Sequence, residues 1–236
     1  MITDVFPAGV AAVEVFGAPL PTPSLFAQEA RLVEGAVERR RSDFATVRAC
    51  ARQAMGRLGF PPAPILRGPR GEPLWPPGLV GSMTHCDGYR AAVVARSGDM
   101  TSLGVDAEVN EPLPREGMLA IVTTAEERAW LAPLIERRPD VAWDRLVFSA
   151  KESVYKAWYP LTGLWLDFQE AVITVDPDAC TFTARLLVPG PVVGDVRLTH
   201  FTGRWTVQRG FLVTAIALAA PSREPTRHPP SLTTVS

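Results

Sequence analysis

Two short stretches of the chain concentrate its chemistry. Gly104-Val105-Asp106-Ala107-Glu108 reads as the end of a strand, and residues 148–158 (FSAKESVYKAW) read as a helix. Strand side chains alternate, so Asp106 and Glu108 project from one face. On the helix, Glu152 and Lys156 stand one turn apart on a common face. Three carboxylates converging from a strand and a helix repel one another unless a hard cation lies among them. Mg²⁺ held by a few carboxylates, with its other positions left to water and phosphate oxygens, is the usual arrangement in phosphate chemistry. Metal-assisted phosphoryl-type transfer is therefore the first expectation. Each piece alone says less. A D-x-E at a strand end is common, and glutamate before lysine at i,i+4 is also the favoured helix-stabilising ion pair.

Other residues suit a polyphosphate ligand. Gly81-Ser82-Met83-Thr84-His85 places small and hydroxyl residues before a histidine at a strand edge, where glycine lets backbone approach a ligand and histidine donates to phosphate. Arg39-Arg40-Arg41, with Arg48 two turns on, offers guanidinium forks for a terminal phosphate, although at least one of the triplet reads as solvated helix face. Arg67 and Arg70 lie in a Pro/Gly-rich loop over residues 61–78.

The elements that must position these groups follow from periodicity. A strand is predicted over 10–16, and Ser24 is placed to cap a short helix. A helix over 36–58 carries the apolar stripe Phe44, Val47, Ala51, Met55 and Leu58. Strands follow over 80–86, 89–96 and 101–108. A Pro-rich stretch over 110–117 is a candidate join. Thr124 with Glu127 opens a helix as a capping box, and a second helix over 143–159 is closed by Pro160. Strands predominate afterwards, with Arg209-Gly210 as a hairpin turn. Helix, strands, helix, strands fits an α+β protein of two halves better than a doubly wound sheet. The division expected is 1–104 and 105–220, with a disordered Pro-rich tail over 221–236.

Composition narrows the classes. Hydrophobic residues make up 47% and charged residues 21%, values of a globular protein, and 24 basic against 25 acidic residues leave a net charge of −1. No global field favours nucleic acid or membrane. No secretory signal and no run long enough for a bilayer are evident, so a cytoplasmic protein is expected. Cys50, Cys86 and Cys180 lack metal spacing and read as packed thiols in a reducing compartment. A Cys86–His85 nucleophile is disfavoured, because catalytic Cys and His usually meet through the fold.

In combination, the chain resembles the Sfp/EntD-type 4'-phosphopantetheinyl transferases, especially the actinobacterial ones. The resemblance rests on R-R-R-S-D-F-A-T-V-R-A-C-A-R at 39–52, G-E-P-L-W-P at 71–76, G-S-M-T-H-C at 81–86, G-V-D-A-E at 104–108 and F-S-A-K-E-S-V-Y-K-A-W-Y-P-L-T at 148–162. It implies two similar α+β halves forming a pseudo-dimer, with coenzyme A and Mg²⁺ (or Mn²⁺) in the cleft between them. By this match Asp106, Glu108 and Glu152 hold the metal. Arg40, Arg48 and His85 bind the 3'-phosphate, and Arg67, Thr84 and Lys151 lie around the adenosine. Lys156 contacts the reacting phosphate, and Tyr155 and Trp165 flank the pantetheine arm. Ala107 takes a middle position that is acidic in some relatives, leaving three carboxylates for the metal.

The resemblance also implies transfer of the phosphopantetheine arm to a serine of an acyl or peptidyl carrier protein, with release of adenosine 3',5'-bisphosphate. Asp106, Glu152 and Lys156 are the catalytic candidates. The carrier belongs to fatty-acid, polyketide or nonribosomal peptide synthases and docks near 113–122, and a monomer suffices. A metal-dependent phosphodiesterase and a non-catalytic coenzyme A-binding module are the alternatives.

Overall fold

The computed structural model describes residues 1–21, 24–114 and 117–221. The chain opens with a 3-10 turn (Ile2–Val5) and runs through β1 (Ala11–Phe16), α1 (Ala27–Arg31) and α2 (Glu38–Arg57). The two-residue strands β2 (Leu66–Arg67) and β3 (Pro73–Leu74) come next, then β4 (Leu79–Cys86) and β5 (Tyr89–Arg96). β6 (Met100–Val109) begins the second part, followed by α3 (Met118–Val122), α4 (Ala125–Arg137) and α5 (Trp143–Thr162). Strands complete it: β7 (Ala171–Asp176), β8 (Thr181–Leu186), β9 (Val192–Val193), β10 (Val196–Arg197), β11 (His200–Gln208) and β12 (Phe211–Ala219). Two antiparallel sheets dominate, in the orders β1-β5-β4 and β6-β12-β11-β8-β7. Each carries one 20-residue helix, α2 on the first and α5 on the second. The architecture is α+β.

Period-two alternation sorts the core. Ala92 and Val94 of β5 pack beneath α2, while Ala91, Val93 and Ala95 face Leu103, Val105 and Ala107 of β6. Val47, Cys50, Ala51, Ala54 and Met55 of α2 are buried at i, i+3, i+4, i+7 and i+8, the stripe of a helix lying on a sheet. Trp143, Leu146, Val147, Ala150, Val154, Ala157 and Trp158 do the same on α5. The other face of β6 meets α5 closely. Ser102 Oγ donates to the Ala157 carbonyl at 2.8 Å, and any Cβ on Gly104 would run into the Ser153 carbonyl.

The sheets meet at β4 and β6 without a shared ladder. Val105 N–H donates to Ser82 Oγ at 3.1 Å, and Ala107 N–H to Thr84 Oγ1 at 3.0 Å. Hydroxyls thus satisfy strand amides that would otherwise be buried without partners.

Some sequence expectations shift. β6 pairs with β12 from Met100 to Val109, so a boundary at 104/105 would cut a continuous strand. The 110–117 stretch leads from β6 to α3 within the second part rather than joining two halves. Pro160 does not close α5. The helix continues to Thr162 and ends at Gly163, whose φ of 65° and N–H bond to the Tyr159 carbonyl (2.8 Å) make the stop. Phe26 rather than Ser24 is the N-cap residue of α1, and the Ser24 carbonyl accepts from Arg52 Nη2 at 2.7 Å. Arg209 and Gly210, with φ of 55° and 78°, form the expected hairpin turn between β11 and β12. The expected tail, apart from Pro221, lies outside the described residues.

Candidate active site

A cleft of about 870 Å³ opens where the two parts meet. That lies within the range of small-ligand and cofactor sites. α2 lends it Arg40, Asp43, Phe44 and Arg48, the 67–75 segment Arg67, Arg70 and Trp75, β4 Met83 and His85, and α5 Glu152, Tyr155 and Lys156. Seven of the residues expected from sequence therefore share one cavity: Arg40, Arg48, Arg67, His85, Glu152, Tyr155 and Lys156.

Arg48 is the most constrained of the cations. It is 4% exposed, its Nε donates to the Ile65 carbonyl at 3.0 Å, and its guanidinium lies 3.3 Å from the centre of the Phe44 ring. Burial lowers its pKa to about 10, opposed by Glu29 and reinforced by Arg67 and Arg52, so it stays charged at neutral pH. Arg40 and Arg67 are exposed on the rim. Arg39 is the solvated member of the triplet, paired with Asp87 at 2.8 Å with both side chains largely exposed. His85 also reaches solvent, yet desolvation by the cleft walls, opposed by Asp43, holds its imidazole below the ordinary value. Cys86 beside it is pushed up to about 12, first by burial and then by Glu108 and Asp106, so it is a protonated thiol rather than a nucleophile.

Asp106 and Glu108 share the α5-facing side of β6, as alternation requires, and Ala107 points into the core with no exposed surface. Asp106 is 5% exposed. Its Oδ1 accepts from Lys156 Nζ at 2.8 Å and from Thr84 Oγ1 at 3.3 Å, and its Oδ2 is buried with no partner. Lys156 also donates to the Val105 carbonyl at 3.0 Å. The lysine is thus drawn across to β6, and no bond to Glu152 forms on the helix. Glu108 Oε2 accepts from Arg145 Nη1 at 3.0 Å, while burial, followed by repulsion from Asp106, raises its pKa to about 7. Burial also raises Glu152, with Lys156 opposing and Asp106 adding to the effect. An orphaned buried carboxylate oxygen and two acids pushed toward protonation mark a place where a hard cation would relieve strain in the charge distribution. Among the described residues, no group of three His, Cys, Asp or Glu side chains is gathered into a metal cage. The donor chemistry fits a divalent cation, with Lys156 and Arg145 now occupying part of that donor set.

Other expected residues lie elsewhere. Thr84 does not line the cleft, and its hydroxyl serves the β4–β6 seam. Lys151 is 4% exposed, pairs with Glu127 Oε2 at 2.8 Å and the Phe168 carbonyl at 2.6 Å, and does not line the main cleft. Trp165 is 60% exposed and packs against Tyr155 with the rings tilted and their centres 4.9 Å apart, outside the main cleft. Gly81 does not bare backbone for a ligand: Trp75 lies across it and donates from Nε1 to its carbonyl at 2.9 Å. Phe44 leaves the apolar stripe of α2 to stack on Arg48, an i,i+4 pairing that the sequence displays. Arg145 and Glu29 lie outside every motif, and Asp43 lies within the 39–52 motif without an expected role.

The position of Lys151 has a measurable consequence. Lys151→Met leaves the fully buried Glu127 carboxylate without its counter-ion, an expected loss of about 3–5 kcal/mol of stability. Urea unfolding should show it, with KM for coenzyme A unchanged. A raised KM at an unchanged midpoint would return Lys151 to the ligand site.

Comparison with known proteins shows the family. The 4'-phosphopantetheinyl transferase N-terminal domain matches residues 28–95, and the 4'-phosphopantetheinyl transferase superfamily matches residues 102–208. The chain is 65% identical to the 4'-phosphopantetheinyl transferase Svp of Streptomyces mobaraensis over 202 residues, 86% of this chain and 82% of that protein. It is 44% identical to PptT of Mycobacterium tuberculosis, covering 92% and 98% of the two chains. With Npt of Nocardia iowensis the identity is 47%, covering 93% and 100%. All three are named as transferases, which sets aside the phosphodiesterase and non-catalytic alternatives. The chain belongs to the 4'-phosphopantetheinyl transferase superfamily and is an enzyme that transfers phosphopantetheine.

Proposed function

We propose that this enzyme moves the 4'-phosphopantetheine arm of coenzyme A onto a serine of apo acyl or peptidyl carrier proteins, in a Mg²⁺-dependent reaction that releases adenosine 3',5'-bisphosphate. The observation that carries the reading is one continuous cleft lined by Arg48 and His85 from the first part and by Glu152 and Lys156 from the second. Arg40, Arg48, Arg67 and His85 take the 3'-phosphate side of coenzyme A, where guanidinium forks match phosphate oxygens. Repulsion between Arg48 and Arg67 is the kind of excess positive charge that an anion relieves. Tyr155, with Tyr159 and Trp165 packed at a tilt beside it, offers an aromatic wall for the pantetheine arm.

Asp106, Glu108 and Glu152 would hold the metal. When bound, Mg²⁺ supplies neutralisation of charge on the diphosphate oxygens. Glu152, which lines the cleft, accepts the serine proton directly or through a water as the hydroxyl oxygen bonds to the β-phosphorus. The bridging bond to the leaving phosphate breaks in the same displacement. Lys156, held at β6 by Asp106 and the Val105 carbonyl, donates to the departing oxygen. Both cleft walls come from one chain, so a monomer suffices. Carriers of fatty-acid, polyketide or nonribosomal peptide synthases are the expected class, docking near α3, where Ile121 is 65% exposed.

The test is direct. Incubated with coenzyme A and Mg²⁺, an apo carrier should gain the mass of one phosphopantetheine arm, and a carrier lacking its serine should not. No gain across fatty-acid, polyketide and peptide carriers would overturn the proposal.

A further inference from the structure

We propose that Glu29 is a positioning residue for coenzyme A recognition: it fixes Ile65, and through Ile65 it aims Arg48 at the 3'-phosphate. The inference rests on the assignment of Arg48 to that phosphate.

Glu29 has no exposed surface and lines no part of the cleft. A carboxylate this deep is costly unless its oxygens are occupied. They are. Oε1 accepts from Ile65 N–H at 2.8 Å and Arg52 Nη1 at 3.0 Å, and Oε2 accepts from Phe26 N–H and the same Arg52 nitrogen, both at 3.0 Å. Arg48 Nε stands 3.7 Å from Oε1, an ion pair without a hydrogen bond, because that nitrogen donates instead to the Ile65 carbonyl at 3.0 Å. Ile65 thereby becomes a one-residue clamp, its N–H on Glu29 and its carbonyl on Arg48. It is fully buried and directly precedes β2, which carries Arg67. One carboxylate thus sets both the guanidinium behind the cleft and the start of the segment bearing the second arginine.

The charges are arranged for an outside anion. Two guanidiniums, Arg48 and Arg52, share one carboxylate. Arg52 spends its nitrogens on Glu29 and the Ser24 carbonyl (2.7 Å). Neither Nη of Arg48 bonds another group among the described residues, and Arg48 borders the cleft. Phe44 restrains the same guanidinium through its ring. Of the two, the excess positive charge is left on Arg48, which borders the ligand cavity and is held from behind, rather than on Arg52.

Two effects oppose each other in Glu29→Gln. Removing a negative charge makes the site more positive and would tighten phosphate binding. Losing the clamp misaligns Arg48 and would weaken it. The neutral amide cannot accept from Ile65 N–H and two contacts of Arg52 as the carboxylate does, so misalignment is the larger effect. A role confined to holding the fold would lower stability and leave ligand discrimination alone. The decisive quantity is therefore kcat/KM for coenzyme A divided by kcat/KM for dephospho-coenzyme A, which lacks the 3'-phosphate.

Glu29→Gln is expected to lower this ratio about tenfold, through KM for coenzyme A, with kcat little changed. Glu29→Asp keeps the charge one methylene short of its partners and should lower it about threefold, and it serves if the glutamine variant does not fold. Arg48→Ala is the control and should remove most of the discrimination. An unchanged ratio in Arg48→Ala would overturn the phosphate assignment itself. A reduced ratio in Arg48→Ala, with an unchanged or higher ratio in the Glu29 variants, would overturn only the role of Glu29.

Discussion

Asp106→Asn is expected to lower kcat for phosphopantetheine transfer by about a thousandfold, while changing folding stability by no more than about 1–2 kcal/mol. The asparagine is nearly isosteric and its oxygen still accepts from Thr84 and Lys156. Lys156 loses a charged partner but keeps the Val105 carbonyl, and at 28% side-chain exposure it retains water. The cost of an isolated buried cation is therefore avoided. What disappears is the anionic oxygen Oδ2, buried and without a partner in the protein. Steady-state kinetics with an apo carrier, set beside urea unfolding, measures both effects. Full activity in the variant would remove Asp106 from the reaction centre.

Glu152→Gln is the second large effect, an expected fall in kcat of about 10²–10⁴ with a smaller change in KM for coenzyme A. Glu152 lines the cleft, and no bond to Lys156 is present to be lost, because the lysine is engaged on β6. The substitution therefore tests reactivity rather than helix stability. If the pair were the surface ion pair that i,i+4 spacing also permits, its removal would cost only about 0.2–0.5 kcal/mol and leave kcat intact. Single-turnover measurement with saturating coenzyme A separates the two. A kcat within a fewfold of the parent enzyme would deny Glu152 a role in proton transfer or metal binding.

How much of this was legible in the residues depends on whether local periodicity or tertiary packing decided the outcome. The shared face of Asp106 and Glu108 follows from strand alternation, and β6 presents it. The capping box of Thr124 and Glu127 formed as read, with bonds of 2.6 and 3.2 Å. The same Glu127 also receives Lys151 and the Ile173 amide, partners distant in sequence that no local pattern announces. Lys151, adjacent to Glu152, projects from a different side of the helix, toward these partners. The Thr84 hydroxyl is used at the β4–β6 seam, where it accepts from Ala107 N–H and donates to Asp106, partners set by packing of the two sheets. Lys156 had two carboxylates within reach, and packing of α5 on β6 at Gly104 brought it to the one on the strand. Glu29 could not be singled out, because its burial is created by α2 and the chain at Ile65 closing over it.

The central claim is that one cleft holds both phosphate-bearing regions of a single coenzyme A molecule between the two parts of the chain. The structure of the enzyme with coenzyme A and Mn²⁺ bound tests it most directly. The expected result is the 3'-phosphate against Arg48 and His85, and Mn²⁺ on Asp106 and Glu152 beside the diphosphate, in the same cavity. A 3'-phosphate away from Arg48, or a metal bound without Asp106, would contradict it.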